Sequence, residues 1–252
     1  MNGHRFEFTA MTTRERADRL LVARGLFESR ARAQAAIAAG RVTADGVPVR
    51  KASNTISSTA AIEATPEHPY VSRGVKLATA LDQFGLDVTG RICLDVGAST
   101  GGFTQVLVAR GARRVYAIDV GTGQLHLRLR DDKTIVSIEK TDIRRLDPSH
   151  LPERPDFATV DVSFISLKQV APAIGDLLKP RATLVALIKP QFEAQRRDIK
   201  KGVVRDAAVH EAVCADIAAF LWSQGWRVVG RMPSPILGGD GNREFLVEAE
   251  RG

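Results

Sequence analysis

The sequence is poor in the residues that build disulfide frameworks and metal centres. Its 252 residues include two cysteines and five histidines. Cys93 and Cys214 lie far apart and form no Cys-x-x-Cys pair, and the histidines are scattered. A disulfide scaffold and a zinc site are therefore disfavoured, and no bound metal is expected. This cysteine usage fits a reducing compartment such as the cytoplasm.

Long apolar runs are also missing. No stretch approaches the roughly 18 apolar residues of a transmembrane helix. The first ten residues, MNGHRFEFTA, lack the apolar core of a signal peptide, so we expect residues 1–11 to form a flexible extension. The chain does have an excess of basic charge, net +7. That balance suits a polyanionic partner. Because no transmembrane run is present, no membrane partner is expected.

A strand, a glycine-rich turn and a helix are predicted between residues 91 and 110. A short apolar run ends in Asp95, and apolar residues recur at helical spacing after the turn. The next predicted strand ends in Asp119, roughly 20 residues further on, where a ribose diol is usually held. The turn is not Gly-x-Gly-x-x-Gly and lacks the Lys-Ser/Thr pair of a P-loop. A dinucleotide and a P-loop phosphate are therefore both disfavoured.

The pattern Asp95-x-Gly97-x-x-x-Gly101-Gly102 resembles motif I of S-adenosylmethionine (SAM) methyltransferases. The resemblance implies that the glycines pass beneath the methionine moiety and that Asp119 holds the ribose. It also implies that Asp142, after the third strand, contacts the adenine. The alternatives are a turn that merely connects strand to helix and, for Asp142, an ordinary helix cap. The cofactor-binding candidates are Asp95, Gly97, Ala98, Ser99, Thr100, Gly101, Gly102, Phe103, Asp119, Val120, Asp142 and Ile143.

The order of elements predicts an α/β fold in two parts. Strands alternate with helices through residues 72–252 and end in a hairpin, which is typical of an open doubly wound sheet. We expect a Rossmann-like, seven-stranded SAM methyltransferase fold there. A small α+β domain is predicted over residues 12–64, and the proline-containing segment 65–71 is predicted to be a linker.

The first part is predicted to be two helices and a hairpin. One helix is expected from Thr12 or Thr13 to residue 23, and a second after Ser29. Asp45-Gly46 marks the hairpin turn, and a further strand is expected over residues 59–63. The unit resembles the RNA-binding domain of small ribosomal subunit protein four, in its RLL, SRARAQ, IAAGRV and DG segments. That resemblance implies a phosphate-tracking face formed by Arg14, Arg19, Arg30, Arg32, Arg41 and Lys51, whereas a merely solvated basic face is the alternative.

Charged residues end two later apolar strands. Asp161 and Lys189 hold these positions, where a charge is either paired or functional. No Asn/Asp-Pro-Pro-Tyr loop follows Asp161, and neither cysteine is well placed as a nucleophile, so an oxygen acceptor is favoured. An alcohol needs a base or a cation beside it. Lys189 with Asp161 and Glu244 supplies such a cluster, and Lys76 could join it.

Six motifs together resemble the TlyA (hemolysin A-like) family of ribosomal-RNA ribose methyltransferases, from about residue 12 onwards. They are VSRG at 71–74, DVGASTGGF at 95–103, DVGTGQL at 119–125, DVSFIS at 161–166, KPQFE at 189–193 and GNRE at 241–244. The resemblance implies a catalytic set of Lys76, Asp161, Lys189 and Glu244, with Lys189 as base or acceptor orienter. It also implies transfer of methyl from SAM to a 2'-hydroxyl of ribosomal RNA, free or in ribosomal subunits, with no obligate protein partner.

One spacing departs from this family. The chain has one residue fewer between Arg73 and Lys76, which on a helix would rotate the lysine by about 100°. Two alternatives are therefore kept: an assembly factor that binds SAM and RNA without catalysis, and a membrane-lytic hemolysin.

Overall fold

The structure, a computed structural model, consists of two units. It describes residues 13–27, 29–64, 70–71 and 73–252, and these divide between residue 64 and Tyr70. The expected extension 1–11, Thr12, Ser72 and most of the expected linker lie outside the described residues. The elements of the first unit are β1 (Arg14–Arg16), α1 (Ala17–Ala23), α2 (Arg30–Ala38), β2 (Val42–Ala44), β3 (Val47–Pro48), β4 (Thr55–Ser57) and β5 (Ile62–Ala64).

The first helix begins later than the capping pattern predicts. Residues 14–16 form β1, which pairs antiparallel with β4 through Arg14 and Ser57 at one end and Arg16 and Thr55 at the other. The predicted start at Thr12 or Thr13 is therefore wrong. Residues 14–16 form a strand because they pair with β4, which lies about 40 residues away in the chain. The local sequence pattern does not indicate that distant partner. The second helix does begin after Ser29, whose side chain accepts a hydrogen bond from the Arg32 amide.

A buried carboxylate ties the two helices of the first unit together. Asp18 is fully buried at the start of α1. It accepts hydrogen bonds from Arg16, from Arg30 at 2.8 Å and from Gln34 at 2.9 Å. These donors hold the pKa of Asp18 well below its usual range, with Arg16 and Arg30 as the main cause. The apolar core of the same unit includes Leu21, Ala33, Ile37 and Val42. The Asp18 hydrogen bonds and this core together hold α1 and α2 in place.

The second unit contains a seven-stranded sheet, as predicted. Its order is β11-β12-β10-β9-β6-β7-β8, and β12 is antiparallel to both of its neighbours while the other pairs are parallel. The elements are α3 (Gly74–Phe84), β6 (Ile92–Val96), α4 (Gly102–Ala109), β7 (Arg114–Ile118), α5 (Leu127–Arg130), β8 (Ile135–Ile138), β9 (Phe157–Val160), α6 (Leu167–Leu177), β10 (Ala182–Ile188), α7 (Pro190–Glu193), α8 (Ala207–Ser223), β11 (Arg227–Pro233) and β12 (Phe245–Arg251).

Helices cover both faces of this sheet. One apolar cluster joins the sheet to α6 and α8, through residues such as Ile174, Ile217 and Trp226. The other joins it to α3 and α4, through residues such as Leu77 and Leu107. Strands buried on both faces read as continuous apolar runs, which is why β6 and β10 were readable from the sequence. Among the described residues, no helix is both long and apolar enough to cross a membrane.

The Asp18 network predicts a stability defect confined to the first unit. We expect Asp18→Ala to destabilise it by about 2 kcal/mol, because donors to a charged acceptor lose their partner. A lowered native pKa stabilises the fold above the unfolded pKa, so the deficit should persist near pH 7 and shrink as pH falls below about 4. Hydrogen exchange of peptides covering residues 17–38 would measure it. Glu15→Ala removes an exposed carboxylate from the same unit and should leave exchange unchanged.

Candidate active site

Strand register brings three charged residues to one edge of the sheet. Ile188 of β10 pairs with Phe245 of β12, so Lys189 and Glu244, one residue beyond each, emerge side by side. Asp161 follows β9, which is the neighbour of β10 on its other side. The carboxyl ends of parallel strands are where ligands bind in open α/β sheets. The three residues therefore meet where the sequence analysis placed the chemistry.

These residues and Lys76 form two ion pairs. Lys189 Nζ lies 2.5 Å from Asp161 Oδ1 and donates a hydrogen bond to Ser163 Oγ at 3.0 Å. Lys76 pairs with Glu244, and both side chains are at most 1% exposed. Burial lowers the pKa of Lys76, while the negative charges of Asp161 and Glu244 oppose that shift. Both lysines are buried, but Lys189, which is 4% exposed, lines a cavity, whereas Lys76 lines neither of the two cavities at the site.

Close backbone packing accounts for the inward position of Lys76. Helix α3 starts at Gly74 and meets the start of α4 at Gly102. A Cβ on Gly74 would lie 2.6 Å from Gly102 O, and a Cβ on Gly102 would lie 2.9 Å from Gly74 N. Only glycines allow this approach. The one-residue-shorter spacing after Arg73 therefore does not turn Lys76 away, because α3 is docked so that the lysine points at Glu244.

The glycine-rich turn lies directly beside Asp161. Gly97 has φ +82°, and a Cβ there would lie 2.5 Å from Asp161 O. Gly101 has φ +92° and faces Leu125 and Leu129. Asp95 is fully buried beneath the turn, where it accepts hydrogen bonds from Thr104 and Thr159 and where burial raises its pKa to about 6. Its carboxylate supports the turn from below.

The acids after β7 and β8 hold local backbone. Asp119 accepts hydrogen bonds from the Ser99 and Gly121 amides, each at 2.7 Å, so it links the glycine-rich turn to the next strand end. Asp142 caps a short 3₁₀ turn, and Arg144 holds its pKa down at about 2. Val120 is exposed, and Ile143 is buried. The cap reading of Asp142 is therefore observed, and the contact with adenine stays a prediction.

Two cavities meet at Lys189. The first has a volume of about 280 Å³ and is lined by Arg73, Gly97, Ala98, Ser99, Thr100, Gly102, Phe103, Asp161, Ser163 and Lys189. The second has about 300 Å³ and is lined by Arg73, Ser163, Phe164, Lys189, Gln191, Phe192, Gly202, Gly239, Asp240, Asn242 and Glu244. Three residues line both: Arg73, Ser163 and Lys189. A group in one cavity and a group in the other would therefore face each other across this lysine.

A larger cavity, of about 870 Å³, lies at the opposite edge of the sheet. Its lining includes Ala182 and Arg227, which begin β10 and β11, and Arg251, which ends the antiparallel β12. None of the four charged residues of the two ion pairs reaches it. Size therefore does not identify the site here, and the paired charges do.

Several residues at the site were missed in the sequence analysis. Arg73 and Ser163 stand inside quoted motifs but were given no role. Phe164 is 92% exposed, has φ +63° and packs against Phe192 with ring centroids 5.2 Å apart. A bulky residue in the left-handed region, with an exposed ring, is an uncommon arrangement that points to function. Its only sequence signal was its place three residues after Asp161.

The predicted RNA-binding residues of the first unit differ in their exposure and in the contacts that they make. Arg19, Arg32 and Lys51 are exposed. Arg30 is committed in part to Asp18, and Arg14 donates to the Thr55 carbonyl at 2.6 Å. Arg41 is partly buried.

The cysteines have no place in the site. Both are buried, and burial raises the pKa of the Cys93 thiol to about 12 and also raises that of Cys214. Thiols in such surroundings are poor nucleophiles. In the part of the chain that is described, no group of histidine, cysteine and acidic side chains is arranged to hold a metal ion.

Comparison with known proteins agrees with this geometry. Residues 70–251 match the FtsJ-like methyltransferase family, and residues 15–62 match the S4 domain. The 16S/23S rRNA (cytidine-2'-O)-methyltransferase TlyA of Mycobacterium tuberculosis is 43% identical over 94% of this chain and 90% of its own. The chain belongs to the TlyA family of FtsJ-like methyltransferases. The resemblance drawn from the motifs is confirmed.

Solved structures show the same relationship. A candidate hemolysin from Streptococcus thermophilus has a TM-score of 0.76 and 43% identity, covering 96% of this chain and 90% of that one. Magnesium protoporphyrin IX methyltransferase from Synechocystis, with bound SAM, has a TM-score of 0.50 and 17% identity over 71% of this chain and 78% of its own. The second likeness is one of fold alone. It places the TlyA-family chain in the SAM methyltransferase fold.

The contact between Gly97 and Asp161 predicts an unusually damaging glycine substitution. We expect Gly97→Ala to lower stability by about 1–2 kcal/mol from the left-handed backbone and by a further 1–3 kcal/mol or so from the collision with Asp161 O. Gly123→Ala is the control, since Gly123 also has positive φ, at +64°, but has open space around its Cβ position. Thermal unfolding should separate the two, and equal shifts would contradict the packing argument.

The buried ion pair predicts a stability effect that can be reversed. Lys76→Met should destabilise the second unit by about 3 kcal/mol, because Glu244 is left buried without its partner. Adding Glu244→Gln should restore much of the lost stability. Neither the single nor the double variant should transfer methyl groups. Chemical denaturation of the wild type, both single variants and the double variant measures the coupling. Additive losses would show that the two side chains do not depend on each other.

Proposed function

We propose that this chain transfers the methyl group of SAM to a ribose 2'-hydroxyl of ribosomal RNA. The observation that carries the proposal is the pair of cavities that meet at Lys189. The first cavity suits the cofactor, and the second suits the acceptor nucleotide. The named activity of the M. tuberculosis relative, an rRNA cytidine-2'-O-methyltransferase, supports the same reaction.

The residues around the first cavity fit SAM. The glycine-rich turn forms much of the cavity's lining, and close packing of Gly97 on Asp161 O and of Gly102 on Gly74 N fixes the turn in place. We assign the methionine moiety to the 97–103 turn, which lines this cavity. Beyond that lining, we assign the ribose diol to Asp119 and the adenine to the region of Val120, Asp142 and Ile143. When bound there, SAM supplies a methyl group on a positively charged sulfur.

Lys189 is the group that meets the acceptor oxygen. Its Nζ is fixed by Asp161 and Ser163 and borders both cavities. A cation held in this place orients the 2'-hydroxyl and stabilises the negative charge that grows on the oxygen. As the oxygen gains the methyl group, Lys189 stays a cation, and the Asp161 carboxylate takes the proton that the hydroxyl loses. An alcohol needs this help because it is a poor nucleophile at neutral pH. SAM, when bound, would give up its methyl group and leave as an uncharged thioether.

The Lys76–Glu244 pair stabilises the Lys189–Asp161 pair electrostatically. The negative charges of Asp161 and Glu244 both act to raise the pKa of Lys76, so the two ion pairs are electrostatically coupled. Glu244 also lines the second cavity. The four side chains together keep opposite charges balanced in a region that is poorly solvated, so no member is left as an isolated charge.

The substrate assignment rests on the first unit and on Phe164. S4-type basic residues bind phosphates and contribute affinity with little reading of sequence. The exposed Phe164 ring offers a flat surface on which a base can stack beside the acceptor cavity. We propose ribosomal subunits as the natural partner and hence the cytoplasm as the location.

The non-catalytic alternative loses its main support. It depended on Lys76 being turned away from the other three residues. The ion pair with Glu244 puts Lys76 within the set instead. No observation on the described residues favours the membrane-lytic reading.

Lys189→Ala provides the direct test of this function. We expect at least about 100-fold less methyl transfer, because the oriented cation is lost, with SAM and RNA binding retained. The measurement is tritium transfer from labelled SAM to purified ribosomal subunits. The product should resist alkaline cleavage at the modified nucleotide, since a 2'-O-methyl group blocks attack on the neighbouring phosphate.

Lys179→Ala is the matched control. Lys179 is also paired with an aspartate, Asp156, but lies near the start of β10 at the other edge of the sheet. Its loss should leave transfer unchanged. A wild-type protein that binds SAM and RNA yet labels no subunit would support the assembly-factor role instead.

A further inference from the structure

Two loops that form one wall of the acceptor cavity are joined by a single side chain. Gly202 belongs to the loop after α7, and Gly239 belongs to the loop before β12. Asn242 is 2% exposed between them. Its Nδ2 donates to Gly202 O at 3.0 Å and to Gly239 O at 3.1 Å, and its Oδ1 accepts from Val204 N at 3.3 Å. The amide group therefore uses both of its donors and its acceptor to hold the two loops together.

A second buried side chain holds the first loop from the other side. His210 of α8 is 4% exposed, and its Nε2 donates to Val204 O at 3.0 Å. The loop itself is a tight turn, with Lys200 and Val203 exchanging backbone hydrogen bonds. The segment 200–204, which we call the wall loop, is thus anchored at Val204 through both its amide and its carbonyl.

Asn242 also reaches the catalytic set. Its main-chain carbonyl accepts a hydrogen bond from Gly238 N at 2.8 Å. The Glu244 side chain lies against Gly238, where a Cβ would be 2.0 Å from Glu244 Oε1. Glu244 in turn pairs with Lys76. The position of Asn242 therefore affects the wall loop on one side and the Glu244–Lys76 pair on the other.

The wall loop lies within a strongly basic stretch. Residues 195–205 contain five exposed cations and one acid, Asp198; the cations are Arg196, Arg197, Lys200, Lys201 and Arg205. Exposed cations beside the acceptor cavity suit the phosphates that flank an acceptor nucleotide.

We propose that Asn242 is a positioning residue for methyl transfer. It holds the wall loop, with its cations, where the RNA backbone enters the acceptor cavity, and it holds Glu244 against Lys76. His210 fixes only the wall loop. This inference rests on the proposed function, and it adds a phosphate-binding loop and two residues that set its position.

The two anchors predict different kinetic changes. Asn242→Asp keeps the size of the side chain and the Oδ1 acceptor. It replaces the NH2 group, which donates to the Gly202 and Gly239 carbonyls, by an oxygen that can only accept. It should raise the KM for ribosomal subunits at least tenfold and also lower kcat at least tenfold. His210→Phe keeps an aromatic ring against Phe245 but removes the donor to Val204 O. It should raise the KM to a similar extent and leave kcat within twofold of the wild type. The Kd of SAM should stay within twofold in both.

Ile217→Val serves as the control for a merely structural loss. Ile217 is buried in the same helix as His210 and lines neither cavity. Its variant should lower Tm while KM and kcat stay at wild-type values well below Tm. If Asn242→Asp and His210→Phe also lower only Tm and leave KM and kcat at wild-type values, the proposal is overturned. If Asn242→Asp does not fold, an unchanged KM in His210→Phe alone overturns it.

The proposed function can fail separately. Wild-type protein that forms no alkali-resistant product on any ribosomal subunit refutes the reaction. The wall loop is then judged by the Kd for purified subunits. Both variants should raise the Kd for subunits at least tenfold without changing the affinity for SAM. An unchanged Kd for subunits overturns the assignment of the wall loop to phosphate binding.

Discussion

Four buried or half-buried charges at the carboxyl edge of the sheet have to be neutralised by one another, and much of the second unit is arranged to do this. Lys189 faces Asp161 because β9 and β10 are parallel neighbours. Glu244 stands beside Lys189 because β12 runs antiparallel to β10. Lys76 completes the balance from a helix outside the sheet. An isolated charge in this place would be costly, so the four positions depend on each other.

Backbone contact between glycines makes this charge balance possible. Gly74 and Gly102 let α3 and α4 approach without intervening side chains, and Gly97 lets the glycine-rich turn pass close to Asp161. Each contact leaves no space for a Cβ. The glycine-rich turn, the two cavities beside it and the four charged residues therefore depend on the same few close approaches. This explains how one lysine, Lys189, can border both cavities.

The two units illustrate where reading a sequence succeeds. Buried parallel strands and their crossover helices follow from apolar runs and helical spacing, and the seven strands appear as expected. The short helices and strands of the first unit are harder to predict from the sequence. The capping pattern at Thr13 predicted a helix, but residues 14–16 pair with β4, which is distant in sequence. Arg30, assigned to RNA, is partly committed to Asp18, which had no sequence signal as a buried acid.

The sequence by itself determined the fold class, the family and the residue types of the proposed catalytic set, because these are carried by periodicity and by contiguous motifs. Tertiary structure decided which lysine pairs with which acid and that Asp95 lies beneath the turn and not at the surface of the cavity. It also brought Asn242 into contact with Val204 of the wall loop, although the two residues are 38 positions apart in the chain. Such contacts arise from strand register and loop packing, and neither leaves a periodic trace in the chain.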